Sequence, residues 1–114
     1  MQKFIGTGVA LVTPFKDDKL IDFSALEKLV EYNIVNGINY LVINGTTGES
    51  VTISKEERQK IIKVIVAINN NRVPLVLGIG GNNTAAVIKE IQSEDLSHID
   101  AILSVAPYYN KPTQ

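Results

Sequence analysis

A strand-like apolar segment followed by an amphipathic helix recurs along the 114 residues, and this alternation restricts the chain to few folds. The predicted strands are residues 7–12, 40–43, 75–79 and 101–105. These segments are continuously apolar rather than alternating, which indicates parallel strands that are buried on both faces. The sequence therefore predicts a β-α-β-α-β-α-β order with right-handed crossovers.

Cap residues mark where the three predicted helices begin. The predicted N-caps are, in chain order, Asp22, Ser54 and Asn83. Ser54 is followed three residues later by Glu57, which is the capping-box pattern. Apolar residues at spacings of three and four give the first two helices a buried face, namely Phe23, Leu26, Leu29, Val30 and Ile34, then Ile61, Ile62, Ile65 and Ile68. We expect the three helices to end near residues 36, 69 and 93.

Two architectures accommodate this order of elements: a small doubly wound open sheet, and the first half of a (β/α)₈ barrel. The second is favoured because no helix pattern follows the fourth strand before the sequence ends. A complete barrel needs about 250 residues. We therefore expect an α/β fold in which residues 1–114 form four parallel strands and three helices of a partial barrel, the rest of the barrel being absent from this sequence.

Composition excludes several classes of function. The formal net charge of −1 gives no electrostatic footprint for nucleic acid or for an anionic membrane. The chain has no cysteine and only one histidine, His98, so we expect neither disulfides nor a metal site. No apolar run approaches the roughly 20 residues that span a bilayer, and the first residues lack a signal-peptide pattern. A cytoplasmic location is therefore expected.

The loop after the second predicted strand carries an unusual set of small and hydroxyl residues. In both architectures the ends of the strands are where chemistry takes place. Gly45 and Gly48 allow a close approach of the backbone to a ligand, and Thr46 and Thr47 offer donors that suit a carboxylate or a phosphate. The alternative, left open by the pattern, is a simple turn in which the threonines cap a helix. No lysine follows the second glycine, so the loop is not a P-loop.

Two further loops follow the third and fourth predicted strands. Residues 78–83 match the dinucleotide pattern G-x-G-x-x-G only in part, because Asn83 replaces the third glycine, so we expect tight loop packing there. Tyr108 and Tyr109 lie in a proline-framed loop. We expect Tyr108 to pack at an interface, while Tyr109 can either pack there or relay protons.

Charged residues outside these loops are expected to face solvent. On the second helix these residues are Glu56, Glu57, Arg58, Lys60 and Lys63, which predict an exposed face with i,i+4 pairs. Residues 16–19 predict a surface turn. His98 precedes the fourth strand rather than following it, so we expect a solvated or capping histidine and not a catalyst.

Three segments, in this order and at this spacing, resemble one known family. Residues 8–15, 45–49 and 107–112 are similar to dihydrodipicolinate synthase, and the resemblance covers the whole chain. It implies a (β/α)₈ barrel in which a lysine forms a Schiff base with pyruvate. The resulting enamine attacks L-aspartate 4-semialdehyde and yields 4-hydroxy-tetrahydrodipicolinate, a step toward diaminopimelate and lysine. The resemblance implies no cofactor beyond the lysine–pyruvate imine.

The resemblance also implies roles for individual residues. Thr46 would belong to a hydroxyl proton relay with two tyrosines, of which Tyr109 reaches into the neighbouring subunit's site. Thr47 would hold the pyruvate carboxylate, with Gly45 and Gly48 flanking it. The family's Schiff-base lysine lies on strand six and its second relay tyrosine on strand five, so both would lie beyond this sequence. We therefore expect the 114-residue chain to be inactive alone.

Assembly and regulation are implied in the same way. Relatives in the family are usually homotetramers built as dimers of dimers, in which Tyr108 would stack at the tight-dimer interface. Asn82 and Tyr108 match residues that bind lysine as an inhibitor there. Val51, Lys55 and Ala86 stand where lysine-inhibited relatives often have alanine, histidine and glutamate. Loss of the acidic residue removes a partner for the inhibitor's ammonium group, which predicts weak or absent feedback.

Two alternatives to the synthase stay open. The first is another pyruvate Schiff-base aldolase such as N-acetylneuraminate lyase. Members of that group usually carry serine at the Thr46 position and lack the Tyr-Asn-Lys/Arg-Pro run, which favours the synthase. The second is a non-enzymatic half-barrel module, since this sequence contains no lysine at the end of an apolar strand.

Overall fold

Strands and helices alternate as predicted along the part of the chain that the structure describes. The computed structural model describes residues 4–44, 53–80, 84–93 and 95–104. Its elements are β1 (Gly8–Ala10), α1 (Phe23–Val35), β2 (Tyr40–Ile43), α2 (Lys55–Asn69), β3 (Leu75–Gly78), α3 (Thr84–Ser93) and β4 (Ala101–Leu103). The helices match the expected bounds to within one residue, whereas β1, β3 and β4 are shorter than expected.

The order of the strands decides between the two predicted architectures. The sheet has the order β1-β2-β3-β4, and each neighbouring pair is parallel. A doubly wound sheet reverses its direction of winding at a switch point, and no reversal occurs among these four strands. Right-handed crossovers that all move in one direction place their helices on one face of the sheet. Consistently, α1 packs against α2. The fold is that of the N-terminal part of a (β/α)₈ barrel.

The hydrophobic core lies between the sheet and helices α1 and α2. Leu41 of β2 is in register with Leu75 of β3, and Ile43 is in register with Leu77, so alternate strand residues form layers. The buried residues of this core are Leu11, Ile21, Leu26, Val30, Leu41, Ile43, Ile61, Ile65, Leu75, Leu77 and Ile79. The two predicted helix faces thus supply Leu26, Val30, Ile61 and Ile65 to the core.

The opposite face of the sheet, which faces the interior of a barrel, is less covered. Val12 and Leu103 are 49% and 54% exposed at its carboxyl end. At the other end the ring of Phe4 packs edge-on against Tyr40, with 5.6 Å between the ring centroids. The expected burial on both faces holds throughout β3 but not for the other strands. In a closed barrel, the inward side chains of further strands fill this space.

The predicted helix caps are confirmed for α1 and α2. The Asp22 carboxylate accepts a hydrogen bond from the backbone N–H of Ala25 at 2.9 Å. At the start of α2 the Ser54 hydroxyl accepts from the N–H of Glu57, and the Glu57 carboxylate accepts from the N–H of Ser54. Each cap satisfies N–H groups that the first turn of a helix leaves without partners.

The expectation of a solvated charged face on α2 is wrong for Arg58. Its side chain is only 9% exposed and forms an ion pair with Glu90 of α3. The i,i+3 and i,i+4 spacing could not reveal this contact, because it depends on how a later helix packs. Lys60 and Lys63 are exposed, as expected.

A bidentate ion pair joins α1 to the turn after α2. The guanidinium of Arg72 donates to both carboxylate oxygens of Glu31, at 2.9 and 2.7 Å. These hydrogen bonds lower the pKa of the Glu31 carboxyl below its usual value. A lowered folded-state pKa means that the pair stabilises the fold above the usual pKa of about 4.3. That stabilisation is lost as the pH falls through the lowered pKa.

We expect Glu31→Gln to lower the melting temperature slightly near neutral pH, because both partners are exposed and such pairs contribute little. The difference should disappear as the pH falls through the pKa of Glu31, since the unsubstituted carboxyl is then also neutral. Thermal melts over an acidic pH series measure this. Glu27→Gln, one turn earlier on α1, controls for the change in net charge. A difference that does not vary with pH would contradict the assignment.

Candidate active site

The carboxyl ends of the parallel strands meet at one edge of the sheet, where barrels carry their active sites. Ala10 is in register with Val42, and the last paired residue of β2, Ile43, is in register with Leu77. Gly78 is in register with Leu103. The segments that follow β2, β3 and β4 therefore start side by side.

Every site residue expected from the sequence belongs to these segments. The seven residues are Gly45, Thr46, Thr47, Gly48, Asn82, Tyr108 and Tyr109, and all of them lie outside the described residues. The structure does describe the residue from which each segment starts, namely Asn44 after β2, Ile79 after β3 and Ser104 after β4. The seven residues are thus carried by neighbouring strand ends, and their contacts remain predictions.

Asn44 is a residue of this edge that the sequence did not single out. Its backbone has a φ of 60°, the left-handed region that asparagine adopts more readily than most residues. Its side-chain Nδ2 donates to the carbonyl oxygen of Gly78 at 3.3 Å. Its Oδ1 is buried and has no hydrogen-bond partner within the part of the chain that the structure describes. An asparagine between an apolar strand and a glycine is the local signal that could have found it.

The lysines offer no candidate for imine formation among the described residues. Such a lysine needs a lowered pKa, which proteins commonly obtain by removing the side chain from water. All seven described lysines are exposed: Lys16, Lys19, Lys28, Lys55, Lys60, Lys63 and Lys89. Lys3 and Lys111 lie outside the described residues.

The residues linked to lysine feedback lie partly within the described chain. Lys55 at the start of α2 and Ala86 on α3 are both exposed. Between the same two helices runs the Arg58–Glu90 ion pair. Val51 lies outside the described residues, as do Asn82 and Tyr108.

A cavity of about 450 Å³ lies away from the carboxyl ends of the strands, between α2 and the connection from α3 to β4. Ile62 and Val66 line it together with Lys63, Asp95 and His98. The Ser97 hydroxyl and N–H donate to Asp95 and lower the pKa of its carboxyl, with a smaller contribution from the nearby charge of His98. His98 is exposed and precedes β4, as the sequence predicted.

No group of three or more histidine, cysteine, aspartate or glutamate side chains within the described ranges could hold a metal ion. None of the three described helices is both long enough and apolar enough to cross a membrane.

A model of one protein family matches nearly the whole chain. The model is described as the dihydrodipicolinate synthetase family and covers residues 3–114. Curated proteins named 4-hydroxy-tetrahydrodipicolinate synthase match all 114 residues. The Cytophaga hutchinsonii protein is 55% identical and the Flavobacterium psychrophilum protein 59% identical. The chain spans 38% and 39% of the length of these two relatives.

Solved structures agree with this match. A structure described as the first monomeric dihydrodipicolinate synthase variant is 39% identical, with a TM-score of 0.91 over 98% of this chain. A chloride-inhibited dihydrodipicolinate synthase from Acinetobacter baumannii, in complex with pyruvate, is 47% identical, with a TM-score of 0.88 over 95% of this chain. In each case 37% of the solved chain is covered.

Proposed function

This chain belongs to the dihydrodipicolinate synthetase family, and we propose that it forms the first part of the barrel of a 4-hydroxy-tetrahydrodipicolinate synthase. The proposed enzyme is a lyase that condenses pyruvate with L-aspartate 4-semialdehyde in the biosynthesis of diaminopimelate and lysine. The observation that carries the proposal is the match of the entire chain, at 55–59% identity, to curated proteins of that name. The longer protein of which this chain would be the first part is called the complete polypeptide.

The proposed chemistry assigns a task to each residue of the segment after β2. Thr47 holds the pyruvate carboxylate through its hydroxyl and N–H, and Gly45 and Gly48 let the backbone approach the ligand. Thr46 passes protons together with the Tyr109 that reaches in from the neighbouring subunit. Imine formation and aldol addition each move protons, and hydroxyl groups carry them without adding charge to the site. The position of the Thr46 segment supports this assignment, because it follows the carboxyl end of β2, at the edge of the sheet where barrels carry their active sites.

The proposed assembly is a homotetramer made of two tight dimers. Tyr108 stacks at the tight-dimer interface, and Tyr109 reaches across it into the neighbouring site. One structural neighbour is described as a monomeric variant, so the family also includes a chain without this assembly. Asn82 and Tyr108 belong to the proposed effector site. Feedback by lysine is expected to be weak, because Ala86 offers no carboxylate to an ammonium group.

The proposed reaction needs no metal or organic cofactor, since a lysine–pyruvate imine supplies the electron sink. The imine-forming lysine belongs to the part of the complete polypeptide beyond residue 114. We propose a cytoplasmic location for the enzyme, together with small-molecule substrates only.

A comparison of two candidate substrates, L-aspartate 4-semialdehyde and N-acetylneuraminate, tests the proposed function. The complete polypeptide is expected to consume pyruvate in the presence of L-aspartate 4-semialdehyde and to leave N-acetylneuraminate uncleaved. Both reactions can be followed through the pyruvate concentration in a coupled assay. Cleavage of N-acetylneuraminate without the condensation would instead assign a sugar-acid aldolase. A complete polypeptide that performs neither reaction and forms no imine would support a non-enzymatic module.

A further inference from the structure

Asn44 ties two strands together at the point where both end. Its Nδ2 donates to the carbonyl oxygen of Gly78 at 3.3 Å, one residue beyond Ile43 and Leu77, the last residues through which β2 and β3 pair with each other. Its φ of 60° turns the chain sharply out of β2. Gly45 follows directly in the sequence, and Thr46 and Thr47 follow two and three residues after Asn44. The side chain therefore fixes the starting point of the segment that carries both threonines.

The oxygen of the same amide, Oδ1, is a hydrogen-bond acceptor that no donor among the described residues reaches. The bond from Nδ2 to Gly78 sets the plane of the amide and therefore the direction of Oδ1. Oδ1 is buried and has no hydrogen-bond partner among the described residues. A buried acceptor is unfavourable unless a donor reaches it, so this oxygen is placed to accept a hydrogen bond from a group outside the described residues. The ionised carboxylate and the ketone of pyruvate carry no donor, whereas hydroxyl groups and water do.

We propose that Asn44 is a positioning residue of the active site. Its amide holds the carboxyl end of β2 against the end of β3, and its Oδ1 accepts a hydrogen bond from an O–H group of the occupied site. This inference rests on the proposed function, because it assigns Asn44 to the placement of Thr46 and Thr47. A displacement of about 1 Å at a reacting group can cost about 100-fold in rate.

Two glycine substitutions separate this role from a change in the backbone. Glycine adopts a φ of 60° without strain, so Asn44→Gly removes only the amide. Asn71 also has a φ of 60° and lies in the turn between α2 and β3, at the opposite end of β3. Asn71→Gly is therefore the matched control. In the complete polypeptide we expect Asn44→Gly to lower kcat/KM for pyruvate about 10- to 100-fold and Asn71→Gly to leave it within about twofold.

The pyruvate adduct distinguishes positioning from loss of folded protein. At saturating pyruvate, the yield of borohydride-trapped adduct on Asn44→Gly should equal that of the unsubstituted protein, while KM for pyruvate rises. A general loss of folded protein would instead lower the adduct yield and kcat together and leave KM unchanged. That second pattern would overturn the inference.

Asn44→Asp tests the tie to Gly78 separately. The aspartate keeps the size of the side chain and the acceptor oxygens but cannot donate to the Gly78 carbonyl when ionised. We expect its KM for pyruvate to rise as in Asn44→Gly. Kinetic constants of both variants within twofold of the unsubstituted protein would refute the positioning role while leaving the proposed function intact. An unsubstituted polypeptide that forms no adduct and no condensation product would remove the proposed function, and this inference with it.

Discussion

The 114-residue chain on its own is expected to form no borohydride-stable adduct with pyruvate, whereas the complete polypeptide is expected to form one. An imine-forming lysine must be neutral to attack a carbonyl, and proteins achieve this by burying it or by placing another cation beside it. All seven lysines of the described residues are exposed. The segment of β3, which is buried throughout, contains no lysine. The expected effect is therefore complete loss of the adduct rather than a reduction.

Intact mass after incubation with pyruvate and borohydride measures this directly. The 114-residue chain should keep its mass of 12.5 kDa, and the complete polypeptide should gain one reduced pyruvate. Lys111 is the lysine closest in sequence to the predicted tyrosine loop, so Lys111→Arg is the control for any adduct on the short chain. An adduct that survives this substitution and maps to a described lysine would show that our account of imine formation is wrong.

Helix bounds followed from the sequence because caps are local chemistry. Ser54 and Glu57 lie three residues apart and satisfy each other's backbone groups whatever the rest of the fold does. Strand bounds were less accurate, because a strand ends where its neighbours stop pairing. Val12 continues the apolar pattern of the first strand but lies beyond the residues of β1 that pair with β2.

The residues that sequence reasoning missed depend on contacts between distant parts of the chain. Arg58 is buried because α3 brings Glu90 to it, and no pattern within α2 indicates that contact. Asn44 also could not be singled out from the sequence, because its partner Gly78 lies 34 residues later and comes beside it only in the fold. Thr46 and Thr47, by contrast, are predicted from the residue types of their loop and from a family motif, neither of which needs knowledge of packing.

Asn69 closes the turn between α2 and β3 with two reciprocal hydrogen bonds. Its Nδ2 donates to the carbonyl oxygen of Val73 at 2.8 Å, and its Oδ1 accepts from the N–H of Val73 at 3.0 Å. The residue is only 2% exposed. Asparagine is the side chain of this size that offers a donor and an acceptor together. The next two residues, Asn70 and Asn71, both have positive φ and reverse the chain toward β3.

We expect Asn69→Asp to destabilise the complete polypeptide by about 3 kcal/mol at neutral pH. The substitution replaces the donor with a carboxylate oxygen that faces the Val73 carbonyl in a buried position. That loss corresponds to a melting temperature lower by about 6 °C or more. Asn71→Asp, two residues away and exposed, is the matched control and should change the melting temperature little.

The pH dependence of the stability of Asn69→Asp distinguishes loss of the hydrogen bond to Val73 from a change in packing. Burial and the facing carbonyl oxygen raise the folded-state pKa of the introduced carboxyl above its unfolded value of about 3.9. The protonated carboxyl can donate to Val73, so stability should be recovered as the pH falls through that raised pKa and be lost again as it rises. Asn69→Leu cannot donate at any pH and should show no such recovery. Equal behaviour of the two variants across the acidic range would mean that the amide fills space and that the reciprocal bonds to Val73 do not hold the turn.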